Sequence, residues 1–308
     1  MTEQTKSILF TLIFLACLHP RIGTSTALIG GILFSLLLGN PWPARAASWS
    51  KVLLQISVVG LGFGLSLVTV WQVGTHSAGY TVVGIVATLA IGWGIGKIIG
   101  TTPSQSILIS FGTAICGGSA IAAMAPVIKA NDEEVAVALA TVFTLNAVAL
   151  VLFPLLGKML GLSQNDFGLW AGLAIHDTSS VVGATSAFGT TALAVGTTVK
   201  LTRALWIMPC VLIASIVTRS EHKAYFPLFI AGFMAAATIN TLMPQLQSLW
   251  VVLSNIARQG LVATLFLIGS GLNRDVISRV GFWPLAQGLL LWAIVSELTL
   301  AAIHFKII

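Results

Sequence analysis

The chain has 308 residues, of which 56% are hydrophobic and 8% charged, with a formal net charge of +6 and a mean hydropathy of +0.98. A water-soluble domain carries about 25% charged residues, so this composition excludes a soluble globular fold. Long apolar runs such as Tyr80–Trp93 and Val135–Leu156 exclude an outer-membrane barrel, whose strands alternate in about ten-residue segments.

Helices are then the remaining way to satisfy every backbone group in hydrocarbon. The expected fold class is all-α: one integral membrane domain over residues 1–308, lying in a lipid bilayer. The excess of positive charge belongs to loops on the cytoplasmic side, and no basic run is long enough to bind nucleic acid. Cys17, Cys116 and Cys210 all fall inside apolar segments, without metal-ligand spacing or a disulfide framework.

A bilayer core takes about 20 apolar residues per helix. Cutting at Pro, Gly and charge clusters predicts about eleven spans, near 7–19, 24–40, 51–70, 78–98, 104–129, 133–157, 166–188, 191–217, 224–243, 255–273 and 282–304. The first follows Lys6 in the manner of a secretory signal, but no small-x-small cleavage site follows it, so it reads as a retained helix. Pro41-Trp42-Pro43 and Thr102-Pro103-Ser104 are loop punctuation. Asn131-Asp132-Glu133-Glu134 reads as a capped helix start with carboxylates at the positive end of the dipole. Trp42, Trp49, Trp71, Trp170 and Trp283 lie near predicted span ends and read as interface anchors. His19, His76, His222 and His304 lie near ends too and receive no role.

If every segment crosses and the N-terminus is cytoplasmic, the inner loops hold Lys6, Arg45, Lys51, Lys97, Lys158, Arg219, Lys223, Arg274 and Arg279. The outer loops hold Arg21, Lys129, Arg258 and Lys306. That bias predicts an inner (plasma) membrane protein with its C-terminus outside. Two internal echoes stand out. Gly62-Phe63-Gly64-Leu65-Ser66 resembles Gly269-Ser270-Gly271-Leu272-Asn273, in spans that cross in opposite senses as an inverted repeat requires. Ala114-Ile115-Cys116 resembles Ala174-Ile175-His176, but spans five and seven run the same way on this count, so the two echoes do not share one inverted repeat.

Three segments hold residues with chemistry. Span five reads Phe111-Gly112-Thr113-Ala114-Ile115-Cys116-Gly117-Gly118-Ser119-Ala120. Paired glycines there predict a broken helix, which frees backbone donors near the midplane where an anion can sit; close packing of helices through small residues is the other reading. Span seven carries His176-Asp177-Thr178-Ser179-Ser180. Five consecutive polar residues at membrane depth line a cavity or pair with each other, unless they sit at a helix end. Span eight places Arg203 near its centre and Lys200 three residues earlier on the same face. Each cation costs roughly 2.5–3.5 kcal/mol at the helix centre, and the deep acids available are Asp177 and Glu297. The balance points to a recruited anion, with a closed Arg203–Asp177 ion pair as the rival.

These segments resemble a known family. Ile115-Cys116-Gly117-Gly118-Ser119-Ala120-Ile121, Ile175-His176-Asp177 and Val199-Lys200-Leu201-Thr202-Arg203 look like the signature blocks of the sulfate exporter family, and the likeness covers most of the chain. The middle block departs, with His176-Asp177-Thr178-Ser179-Ser180 where that family has His-Glu followed by Val-Ala-Gln. The Cys116-Gly117-Gly118-Ser119 stretch also looks like the broken-helix motif of bile acid:sodium symporter-like carriers, related to sodium/proton antiporters. That resemblance implies crossed discontinuous helices, a core moving against a panel, and dimerisation.

The expected function is a secondary active transporter exporting a small anion such as sulfate, a sulfonate or a carboxylate by alternating access. No cofactor is expected, and proton or sodium coupling is. Cys116, Gly117, Gly118, Ser119, His176, Asp177, Thr178, Ser179, Lys200 and Arg203 are the candidate binding residues, with His176 as proton carrier because imidazole changes charge near neutral pH. A channel is the first rival. An intramembrane hydrolase built on Ser119, His176 and Asp177 is the second.

Overall fold

The computed structural model describes residues 2–219, 228–271 and 281–308. Lys223, Arg274, Arg279, His222 and the Leu272-Asn273 end of the first echo lie outside the described residues. Fourteen α-helices cover most of the described chain, and no strand occurs among the described residues. They run α1 (Glu3–Ala16), α2 (Thr24–Leu38), α3 (Pro43–Gly62), α4 (Leu67–Ile99), α5 (Pro103–Ala114), α6 (Gly118–Met124), α7 (Asp132–Met159), α8 (Gln164–Ala174), α9 (Thr178–Phe188), α10 (Thr190–Leu205), α11 (Ile207–Thr218), α12 (Leu228–Leu242), α13 (Gln247–Ser270) and α14 (Phe282–His304). Among the described residues, five helical stretches are long and apolar enough to cross a membrane alone, and two more are shorter and apolar. The protein is a polytopic helical membrane protein.

The chain divides into two compact units. The first comprises Met1–Gln72 and Pro227–Asp275. Its centre is α13, which receives α2 and α3 at backbone distance because small residues line the contacts. A Cβ on Gly31 would fall on the Phe266 carbonyl oxygen, and one on Gly60 would meet the Ala257 methyl at 2.6 Å. Gly260 faces Ser57 and Gly64 faces Ser254, so α3 and α13 are antiparallel. Phe10, Phe34, Trp42 and Phe266 interlock, three of their four ring pairs edge to face and Phe10–Phe266 tilted. The first echo closes both helices: α3 ends at Gly62 and α13 at Ser270.

The second unit comprises Val73–Phe226 and Val276–Ile308. Here the sequence-based expectation needs a correction, because the segments assigned to spans five and seven do not cross. The α5–α6 segment folds back, and the Thr102 hydroxyl, just before α5, donates to Glu134 in the first turn of α7 at 3.0 Å. The Asn131/Glu134 capping box then starts α7, as the acidic cluster predicts. The α8–α9 segment folds back as well. The Phe167 and Phe188 rings stack at 3.8 Å, and the Gln164 carbonyl oxygen accepts from the Thr191 amide at 2.9 Å. Each arm of this second hairpin has 11 residues, about 16 Å of helix, which is half of a bilayer core.

Both segments are therefore re-entrant helical hairpins, where the resemblance implies crossed discontinuous helices. They enter from opposite ends. Along α14, Gln287 near its start bonds Ser106 of α5, while Ser296 further on accepts from Trp170 of α8. Removing two crossings also revises the loops between them, since Lys129 and Lys158 exchange sides. The charge bias survives that exchange. The second echo now fits the inverted repeat, because its two copies are the tips of hairpins pointing in opposite senses.

Candidate functional site

Each hairpin turns in a non-helical tip. At the first, Ile115 leaves the helix, Gly117 adopts φ +69°, and the Gly117 amide bonds back to the Gly112 carbonyl. Only glycine enters that region without strain, which accounts for Gly117 within the glycine pair. At the second, Ile175 and Asp177 are extended. Non-helical backbone is tolerated at membrane depth only where protein covers it. Ile115, Cys116, Ile175 and His176 are all buried.

The two tips touch. A Cβ on Gly117 would lie 3.3 Å from that of Asp177, so the tips singled out in spans five and seven meet at these two residues. Ending a helix in a dry interior leaves its last carbonyls without partners and with partial negative charge. Lys200 and Arg203 of α10 supply what is missing. Arg203 donates from Nε to the Ala114 carbonyl, from Nη1 to that of Leu173, and from Nη2 to that of Thr113 at 3.0 Å. Lys200 Nζ donates to the Ile175 carbonyl at 2.7 Å. One guanidinium thus ties the first arms of both hairpins together, a task suited to its planar fork of donors. Both side chains are buried, Lys200 completely.

Asp177 pairs with neither cation. Its carboxylate is the N-cap of α9, accepting from the Ser179 hydroxyl and from the Ser179 and Ser180 amides at 2.9 and 3.4 Å. Glu297 is exposed on α14, and among the described residues the one ion pair is Lys6–Glu3. The closed Arg203–Asp177 pair is therefore absent, and backbone carbonyls take its place. Thr178 and Ser179 are buried at the start of α9. Gly118 lies against Phe143 of α7, and Ser119 is exposed.

With both bases protonated, the tips carry two positive side chains and one carboxylate. The ends of α5 and α8 add about half a negative charge each, and the starts of α6 and α9 about half a positive one each. About one positive charge stays uncompensated, so with both bases protonated the site is electropositive.

Two neighbours escaped the sequence reading. Asn146 of α7 accepts from the Asp177 amide at 3.2 Å, and Trp292 of α14 lies with its ring 6.3 Å from that of His176. Both had a signal: Asn146 interrupts the apolar run Val135–Leu156, and Trp292 stands at the middle of its span rather than at an end. Trp170 corrects the anchor reading, since it is buried and bonds the Ser296 carbonyl at 3.0 Å. Trp49, Trp71 and Trp283 are exposed, as anchors would be.

The family described as conserved hypothetical protein 698 matches residues 8–288. A UPF0324 membrane protein of Geobacter sulfurreducens is 60% identical, covering 96% of this chain and 95% of its own. One from Bdellovibrio bacteriovorus is 48% identical over 98% and 95% of the two chains, and one from Bacteroides thetaiotaomicron is 49% identical over 91% and 86%. No solved structure matches the chain. Matched almost end to end by these relatives, the chain belongs to the conserved hypothetical protein 698 family of UPF0324 membrane proteins.

Proposed function

We propose that the chain is a secondary active transporter of a small anion, working by alternating access at the meeting point of the two hairpin tips. The observation that carries this reading is the pair of opposed re-entrant hairpins, touching at Gly117 and Asp177 and held by two buried cations. Broken helices that meet near the midplane within an inverted repeat are how secondary carriers form a site reachable from either side. The electropositive balance favours an anion over a cation. Sulfate, a sulfonate or a carboxylate fits that requirement, with export as the direction the sulfate exporter resemblance suggests. An inner-membrane location with the N-terminus cytoplasmic and the C-terminus outside follows the lysine and arginine bias.

Lys200 has two further N–H donors beyond its bond to Ile175, so it is the cation available to a ligand, while Arg203 chiefly holds the hairpins. Gly117, Gly118 and the Asp177-capped start of α9 frame the same space. His176 is the candidate for carrying a coupling proton, with sodium as the rival ion. The hydrolase reading lacks its central contact: among the described residues neither His176 nitrogen has a partner, whereas a nucleophilic Ser119 would need one.

Purified protein reconstituted in liposomes tests the proposal. Radiolabelled sulfate or methanesulfonate should enter by counterflow against trapped unlabelled anion, which a channel does not support. A pH gradient should drive accumulation, and His176→Gln should abolish that drive while leaving counterflow. Absence of counterflow for every anion tried, alongside measurable conductance, would replace the carrier by a channel.

A further inference from the structure

Behind the second hairpin tip, three polar side chains are more than nine-tenths buried and have donors with no acceptor among the described residues. They are His176, 1% exposed, with both ring nitrogens unpartnered; Asn146, 3% exposed, with Nδ2 unpartnered; and Trp292, 6% exposed, with Nε1 unpartnered. They come from the tip, α7 and α14, and share one neighbourhood. Asn146 is bonded through Oδ1 to the amide of the residue after His176, and the His176 and Trp292 rings meet edge to face at 6.3 Å. Phe153, seven residues after Asn146, stacks on the Trp292 ring at 5.8 Å.

A buried donor without an acceptor is destabilising, and apolar residues of similar shape would serve packing better. Elsewhere in this unit buried side-chain N–H donors are satisfied, whereas the hydroxyls of Thr81, Thr113, Thr144, Thr197 and Ser296 are buried without a partner among the described residues. Trp170 reaches the Ser296 carbonyl, and Gln287 uses both ends of its amide on Gly92, Ser106 and Thr101. Among the described residues, the unmet side-chain N–H donors of this unit are those of His176, Asn146 and Trp292 alone, and they lie beside the tip.

We propose that His176, Asn146 and Trp292 form an uncharged N–H subsite that binds the oxygens of an oxyanion. This rests on the anion-transporter reading and extends it: Lys200 supplies charge on the α10 side of the tip, and the three neutral donors select an oxygen-bearing anion on the α7 and α14 side. With His176 deprotonated these donors discriminate by geometry and add no positive charge to a site that already holds two cations, and the subsite becomes charged only while His176 carries the coupling proton.

The test uses the full chain purified in detergent, titrated calorimetrically with inorganic sulfate and with methanesulfonate. Trp292→Phe and His176→Phe each remove the N–H groups and keep an aromatic ring. Each should weaken binding of one or both anions about tenfold or more, the effect of a lost hydrogen bond to a charged partner. Their unfolding midpoints should stay level or rise, because an unmet buried donor has gone. Trp170→Phe serves as the control, with stability lowered and affinity unchanged. Wild-type binding that persists unaltered in both Phe variants would refute the subsite and leave the transporter reading standing. Lowered stability with unchanged affinity would refute it too, assigning the donors to structural water. Failure of the wild type to bind either anion would overturn both this subsite and the anion site it extends.

Discussion

Replacing Arg203 by Gln removes three donated hydrogen bonds and the charge that faces the ends of α5 and α8. A glutamine amide can reach one carbonyl, so at least two buried acceptors lose their partner. At about 1–3 kcal/mol for each unmet group, less some relief of repulsion from Lys200, the loss comes to about 3–5 kcal/mol. Asp177→Asn should change stability by less than about 1 kcal/mol, because Asn is as good an N-cap as Asp. Arg203 does not contact Asp177, so the double variant should be as unstable as the sum, within about 0.5 kcal/mol. Arg203→Lys should fall between wild type and Arg203→Gln, keeping the charge while losing the fork that joins two hairpins. Helicity followed by circular dichroism during SDS-induced unfolding in mixed micelles reads all four proteins. Recovery of wild-type stability in the double variant would refute this reasoning and restore the ion pair in place of the carbonyl clamp.

Two further outcomes are expected. Single cysteines in a cysteine-free background at Thr102 and Glu133 should react with an impermeant thiol reagent from one side of the membrane, and those at Lys158 and Thr191 from the other. Members of either pair labelling from opposite sides would mean that the segment between them crosses. Gly31→Ala should lower folded yield sharply, because its methyl would collide with the Phe266 backbone, whereas Gly30→Ala meets nothing within 4 Å and should be neutral in the same expression and thermal-unfolding assay. Equal behaviour of the two would show that α2 does not approach α13 at backbone distance.

The amino-acid sequence by itself determined that this chain is helical and lies in a membrane, because apolar runs of bilayer length admit no other backbone arrangement. It also marked the site. The Cys116-Gly117-Gly118 break, the polar run from His176 to Ser180, and the two cations of α10 are each expensive in lipid and so stand out one at a time. What a linear reading could not decide is direction. A half-membrane helix followed by a tip and a second half has the same hydropathy whether the chain continues or turns back, so both hairpins read as crossings, and the second echo was placed in parallel spans. Tertiary contacts settled it, through Thr102 beside Glu134 and Phe167 stacked on Phe188. They also decided the partners of Lys200 and Arg203. Charge counting considers side chains, and the acceptors here are backbone carbonyls freed by the hairpin tips. Which carbonyls those are depends on where α5 and α8 stop relative to α10, and the spacing of residues along the chain does not contain that distance.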